Sequence, residues 1–195
     1  MILAAGRGTR LHPRTDSTPK ALVRAGGMSL LERLIRKMKI QGVDHIVINV
    51  HHLAGQIMDF LNEHEHFGMR IDISYEEDLL LETGGGIRHA APLLDGKDPF
   101  IVHNVDILSD LDLRTIYAAH QETGALATLA VRSRTTSRYL LFDAGLRMRG
   151  WENRASGERI VRGNKNQLLT PLAFRADHVD PAESQGGQQL VFVSA

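Results

Sequence analysis

The chain has 195 residues, 43% of them hydrophobic, and its 23 basic side chains are matched by 23 acidic ones. That balance excludes a globally basic nucleic-acid binder, the apolar share excludes a disordered chain, and the lack of cysteine excludes a disulfide framework and a thiolate zinc site. No window approaches the roughly 18 uninterrupted apolar residues of a membrane span, so a cytoplasmic protein with no membrane or nucleic-acid partner is the expectation.

Met1-Ile2-Leu3-Ala4-Ala5 reads as a buried strand already in progress. Strands usually run about five or six residues, so a start a few residues upstream is expected. Leu30-Leu31-x-x-Leu34-Ile35-x-x-Met38 has helical spacing, with Ser29 as N-cap, Glu32 completing a capping box and Gly42 ending the run. His45–Val50 follows as a β-branched strand, then a helix through Leu53, Ile57, Phe60 and Leu61, and a strand over Met69–Tyr75. A helix from about Gly85 to Leu94, a strand over Pro99–His103, a helix from about Leu113 to Glu122 and a strand over Ala125–Val131 complete the alternation. Such a rhythm predicts a mainly parallel sheet with helices on both faces. Beyond residue 132, Tyr139–Asp143 and Leu146–Trp151 flank Asp143-Ala144-Gly145 and predict an antiparallel hairpin. With no repeats and no linker, a single domain is expected.

Four short segments carry chemistry. In Leu3-Ala4-Ala5-Gly6-Arg7-Gly8-Thr9-Arg10-Leu11, small residues after a buried strand allow close backbone approach, free N–H groups can cradle phosphate oxygens, and two arginines add fixed charge. Taken alone, Gly6-x-Gly8 serves a tight turn as well as it serves a ligand, and it matches neither the Walker pattern nor the dinucleotide fingerprint. Thr18-Pro19-Lys20-Ala21-Leu22 follows, where Pro19 restricts the backbone and can hold one ammonium in a defined place. Leu81-Glu82-Thr83-Gly84-Gly85-Gly86-Ile87 is a second glycine-rich stretch ahead of a helix, readable as a ligand loop or as a flexible helix entry. Phe100-Ile101-Val102-His103-Asn104-Val105-Asp106 delivers a carboxylate from the end of an apolar strand, where open α/β sheets hold ligands and Mg²⁺. Asp110 and Asp112 lie close behind, one of them a cap for the next helix.

Together, the first two segments resemble the signature of the sugar-1-phosphate nucleotidyltransferases. The resemblance implies a Rossmann-like, three-layer α/β fold with a mostly parallel mixed sheet and a small antiparallel hairpin. It implies that Leu3, Ala4, Ala5, Gly6, Gly8 and Thr9 wrap a triphosphate, and that Arg10 and Lys20 are catalytic cations. Glu82, Thr83, Gly84, Gly85 and Asn104 then contact the nucleotide, and Asp106 binds Mg²⁺ as the metal residue of an Asn-(Gly/Ala)-Asp motif whose middle position is here Val105. The implied substrates are a nucleoside triphosphate and a sugar 1-phosphate, which react in line to release pyrophosphate. The Leu-Glu-Thr-Gly-Gly-Gly wording is most similar to uridylyltransferases acting on N-acetylmuramate 1-phosphate, so UTP is favoured. Guanylyl- and thymidylyltransferases of the same family, and a nucleotide-binding remnant without chemistry, stay open.

The resemblance runs over roughly residues 1–174, which divides the chain into a nucleotide-binding core over 1–131 and a sugar-binding side over 132–195. Relatives continue past Thr170-Pro171-Leu172-Ala173-Phe174 to a second metal-binding Asp; Asp177 and Asp180 do not match it, so truncation near residue 175 is expected. His51-His52 and His64-x-His66 tempt as metal pairs, but with no Cys and no ordered carboxylate spacing to accompany them they read as structural or solvated. Arg132, Arg134, Arg138, Arg147, Arg149, Arg154, Arg159 and Arg162 make the second half basic. With aromatics at 5% to stack on bases, an anionic sugar substrate explains them at least as well as nucleic acid.

Overall fold

A computed structural model describes residues 1–94, 96, 98–123, 126–130, 135–145, 147–162, 170–172 and 190–193. In chain order these form β1 (Ile2–Leu3), β2 (Arg24–Ala25), β3 (Met28–Ser29), α1 (Leu30–Ile40), β4 (His45–Val50), α2 (Ala54–Glu63), β5 (Arg70–Tyr75), α3 (Glu82–His89) and β6 (Phe100–Asn104). There follow α4 (Leu113–Thr123), β7 (Ala127–Ala130), β8 (Arg138–Phe142), β9 (Met148–Asn153), β10 (Glu158–Val161), β11 (Thr170–Leu172) and β12 (Leu190–Val193). Two compact units result, residues 1–129 with 189–195, and residues 130–188.

The first unit is built on a six-stranded sheet in the order β5-β4-β1-β6-β12-β7. β1 pairs in parallel with β4 and with β6, and β4 with β5, whereas β12 runs antiparallel to β6. The sheet is therefore mixed, as a Rossmann-like α/β fold of this kind requires. Strand alternation sorts the core into two faces. Met1, Val47 and Val102 pack with Ile87 of α3, Ala90 and Leu93 on one face. Ile2, Ile46, Ile48 and Val50 point the other way and are fully buried, as are Leu31 and Ile35 of α1 and Ile57 of α2. Burying that many β-branched and leucyl side chains stabilises the sheet by about 1.5–3 kcal/mol each.

α1 begins as its sequence predicts: the Ser29 hydroxyl accepts from the Glu32 amide at 3.1 Å, and Gly42 beyond its end takes φ +86. The reciprocal half of the capping box is missing, because the Glu32 carboxylate pairs with Arg36 one turn on. α3 departs from expectation. It begins at Glu82 rather than near Gly85 and stops at His89, with a separate 3-10 turn over Ala91–Leu93. Pro92 lacks the amide a continuing helix needs, which explains the stop. Ala125, Val131 and Leu146 of the expected strands lie outside the described residues, as do Asp177 and Asp180.

The second unit carries a four-stranded antiparallel sheet in the order β10-β9-β8-β11, with β8 and β9 the expected hairpin. Its turn is held by Asp143, whose carboxylate accepts from the Arg147 amide, from Arg149 Nε at 2.6 Å and from the Gly145 amide. Those bonds, the one from the Arg147 amide foremost, hold the Asp143 carboxyl below the usual carboxylate range.

Candidate functional site

The chain runs outward from β1 to β4 and β5, then returns to lay β6 on the other side of β1, so the direction of winding reverses between β1 and β6. At such a reversal the loops leaving the carboxyl ends of the strands diverge and open a crevice. A cleft of about 760 Å³ lies there, a size within the range of small-molecule sites. Leu3, Ala4, Ala5 and Gly6 form its floor as the chain leaves β1, and Gly8, Thr9 and Arg10 turn over it. Arg7 is exposed and is not part of the wall.

Gly8 holds this turn in shape. Its φ is +66, its carbonyl accepts from the Leu11 amide at 2.8 Å and from the Thr15 hydroxyl at 3.0 Å, and an added Cβ would stand 3.0 Å from Thr15 Cγ2 and 3.1 Å from Lys20 Cβ. Gly8→Ala is expected to cost about 1–2 kcal/mol for the left-handed conformation alone, read as a lower urea midpoint; an unchanged midpoint would mean the turn tolerates a side chain.

Lys20 follows the extended Pro19 and opens a 3-10 turn closed by the Leu22 amide on the Pro19 carbonyl at 2.8 Å. That fixes the lysine backbone, and its ammonium reaches across the cleft to donate to the Asp106 carboxylate. Asp106 sits two residues past β6, which the Val105 amide ties to the Leu3 carbonyl at 3.1 Å. Cation and carboxylate therefore meet at the reversal between β1 and β6, from positions 86 residues apart. Asn104 also lines the cleft, as does Val105, whose side chain is buried against the sheet.

Behind Asn104, the buried His103 donates from Nδ1 to the Asn104 carbonyl at 2.7 Å, and its Nε2 is buried with no partner among the described residues. Burial, aided by the nearby Lys37 cation, pushes the His103 pKa down to about 4. Protonation would bury an unpaired N–H, so the native state refuses a proton that the unfolded chain accepts below about pH 6.5. Stability is expected to fall by up to about 3 kcal/mol as the pH drops from about 6.5 to about 4, read as urea unfolding at a series of pH values. His103→Gln should flatten that slope; a slope unchanged by the substitution would assign it elsewhere.

Glu82 and Thr83 form the opposite wall at the start of α3. Glu82 is a non-glycine residue at φ +58, a strained conformation of the kind held in place at ligand sites. Gly84 and Gly85 are not part of the wall. They lie inside α3, whose early start moves them out of the loop, and a Cβ on Gly85 would meet Leu81 Cβ at 2.8 Å. At Gly85 and Gly86, glycine's cost of about 1 kcal/mol in a helix interior is outweighed by the clash a side chain would make, whereas Gly84 has open space beside it.

Two residues that sequence reasoning passed over support the walls, one lining the cleft and one buried behind it. Asn49, at the carboxyl end of β4, lines the cleft and accepts from the Ala4 amide at 2.7 Å. Its Nδ2 donates to Glu76 Oε1 at 2.8 Å, and Glu76 Oε2 accepts from the Leu81 amide at 2.9 Å. Asn49 and Glu76 are 3% and 2% exposed, so this chain of bonds is shut off from water. The available signal was an Asn in an otherwise apolar strand, since a buried amide needs fixed partners.

The Nucleotidyl transferase family profile matches residues 1–145, which include every wall of the cleft. The chain belongs to the nucleotidyl transferase family. It is 44% identical over 117 residues to N-acetylmuramate alpha-1-phosphate uridylyltransferase of Neisseria meningitidis serogroup B, covering 60% of this chain and 50% of that protein. It is 35% identical over 144 residues to UTP--glucose-1-phosphate uridylyltransferase of Synechocystis, covering 68% of this chain and 37% of the relative. The chain thus spans half or less of the length of these relatives. The fold is shared with HddC of Yersinia pseudotuberculosis in complex with GMP-PN, at TM-score 0.64 and 23% identity over 99% of this chain and 75% of that one.

Elsewhere in this nucleotidyl transferase chain, three of the four histidines that tempt as metal pairs bond to protein acceptors: His51 to the Glu76 carbonyl, His64 to the Phe60 carbonyl and His66 to the Asn62 side chain. Asp112 takes the capping role ahead of α4, accepting from the Arg114 amide at 2.9 Å and pairing with its guanidinium, which lowers the Asp112 pKa to about 2. Among the described arginines of the second half, Arg149 pairs with Asp143, and Arg154 pairs with Glu152 while lying over the Tyr139 ring. Arg132 and Arg134 lie outside the described residues. Among the described residues, no helix is long and apolar enough to cross a membrane, and no three His, Cys, Asp or Glu side chains gather to hold a metal unaided.

Proposed function

We propose that the cleft binds a nucleoside triphosphate, UTP foremost, and transfers its nucleotidyl group to a sugar 1-phosphate. A phosphate oxygen of the sugar 1-phosphate attacks the α-phosphorus in line, the bond to the bridging α–β oxygen breaks, and pyrophosphate leaves with a nucleotide sugar as the other product. The observation that carries this reading is the meeting of Lys20 and Asp106 beside the Gly8 turn. The backbone N–H groups of the Gly6–Arg10 loop hold the β- and γ-phosphates, and Lys20 and Arg10 offset charge on the transferring phosphorus. Glu82, Thr83 and Asn104 face the nucleoside.

Asp106 suits Mg²⁺: a single hard carboxylate is the protein contribution this ion needs when substrate phosphates and waters complete its shell. Bound there, the ion would neutralise phosphate charge. Lys20 then exchanges its contact with Asp106 for one with phosphate. The preference for UTP rests on the uridylyltransferase relatives at 44% identity. Residues 1–131 are assigned to the nucleotide and residues 132–195 to the sugar.

The test is pyrophosphate release with UTP, GTP or dTTP, Mg²⁺ and a panel of sugar 1-phosphates. Release that depends on both substrates and is fastest with UTP and N-acetylmuramate 1-phosphate supports the assignment. A preference for GTP or dTTP would move the base assignment, and no release with any pair would overturn the catalytic reading.

A further inference from the structure

Glu76 is buried at the end of β5, carries a carboxylate whose two oxygens each accept from a neutral amide, and has no place in the chemistry proposed above. What distinguishes it is its position between two loops of the cleft. From one wall to the other runs a single relay: the Ala4 amide donates to Asn49 Oδ1, Asn49 Nδ2 donates to Glu76 Oε1, and the Leu81 amide donates to Glu76 Oε2. Ala4 begins the first loop and Leu81 precedes Glu82 and Thr83 of the opposite wall. The Glu76 backbone is itself pinned, its amide on the Val50 carbonyl at 2.9 Å and its carbonyl receiving His51 Nδ1 at 2.7 Å. Gly86 packs against the middle of the relay, where a Cβ would stand 2.7 Å from Glu76 Oε1 and 2.8 Å from Asn49 Nδ2.

We infer that Glu76 is a positioning residue which, through Asn49, sets the spacing between the first loop and the start of α3 and so the width of the cleft. This rests on the nucleotide-binding reading for its functional consequence, while the relay itself can be tested without nucleotide. The chemistry explains the residue type. Two donors converge on two oxygens, which a carboxylate accepts and an amide does not, because one side of a glutamine amide is itself a donor. Glu76→Gln must therefore set its NH2 against either the Leu81 amide or Asn49 Nδ2. Adding Asn49→Asp repairs the polarity: the carboxylate now at position 49 accepts from the Ala4 amide and from the glutamine NH2, and the glutamine oxygen accepts from the Leu81 amide.

Amide exchange followed by NMR at Ala4 and Leu81, in the absence of nucleotide, and calorimetric titration with UTP and Mg²⁺ together decide the matter. Glu76→Gln is expected to speed exchange at Leu81 by at least about tenfold and to weaken UTP binding about tenfold, while Ile35 in α1 keeps its protection. Asn49→Asp with Glu76→Gln is expected to bring both readings back to within about threefold of the parent protein. Unchanged exchange in the single variant, or a double variant no better than the single, would overturn the relay. Should the single variant fail to fold, a double variant that folds with parental exchange supports the relay, and one that does not fold overturns it. A parent protein that binds none of UTP, GTP and dTTP would instead reject the nucleotide reading, with the exchange data still judging the relay.

Discussion

Replacing Lys20 with alanine is expected to lower pyrophosphate release by about a thousandfold, the scale on which removal of one preorganised charge from a phosphoryl site acts. Lys20 is placed for this by Pro19 and the 3-10 turn, so its ammonium enters the cleft from a fixed backbone and meets Asp106 beside the Gly8 turn. The protein should stay folded. The Lys20 and Asp106 side chains are 26% and 39% exposed, and a pair that open to water contributes no more than about 1 kcal/mol to stability. Lys20→Arg is expected to recover little, because a planar fork does not occupy the position of a compact ammonium. Steady-state kinetics at saturating UTP, with a thermal melt of each variant, reads both halves; turnover near the parental rate in Lys20→Ala would remove Lys20 from the chemistry.

The second large effect is expected at Asp106. Asp106→Asn keeps the shape and removes the charge, so it abolishes the carboxylate offered to Mg²⁺ and also releases Lys20 from the ion pair that spans the cleft. These consequences have opposite signs. Without metal, UTP should bind the variant at least as tightly as it binds the parent protein, because a free ammonium now faces the phosphates. With Mg²⁺ the parent should gain and the variant should not, and turnover should drop at least about a hundredfold. Calorimetric titration of UTP with and without Mg²⁺ separates the two. A variant with parental metal dependence would show that the carboxylate does not hold the ion.

The fold and the site differ in how far their parts were legible in the sequence. The first loop, Lys20 and Asp106 could be read because each follows from local chemistry: small residues after a strand, a proline-restricted lysine, a carboxylate at a strand end. Their convergence needs only the winding reversal between β1 and β6, which strand and helix alternation anticipates. Asn49 and Glu76 could not be read that way. Their partners lie 45, 27 and 5 residues away, and the two long links exist because β4 stands between β1 and β5. The early start of α3 was hidden for a related reason. A glycine run ahead of an apolar residue looks like a loop, but at Gly85 and Gly86 the space beside Leu81 and Glu76 is too tight for a side chain, and the helix starts before the run. The antiparallel placement of β12 beside β6 was likewise not predictable, since nothing in Leu190–Val193 encodes its neighbour.

On the proposed function, the first unit holds one nucleoside triphosphate in the cleft between β1 and β6. Titration of the isotopically labelled protein with UTP and Mg²⁺, following backbone amide signals, tests it directly. Saturable binding of one nucleotide per chain is expected, with shifts concentrated at Gly6, Gly8, Thr9, Lys20, Thr83 and Asn104. Absence of saturable binding by UTP, GTP and dTTP alike, or shifts that leave these residues unmoved, would contradict it.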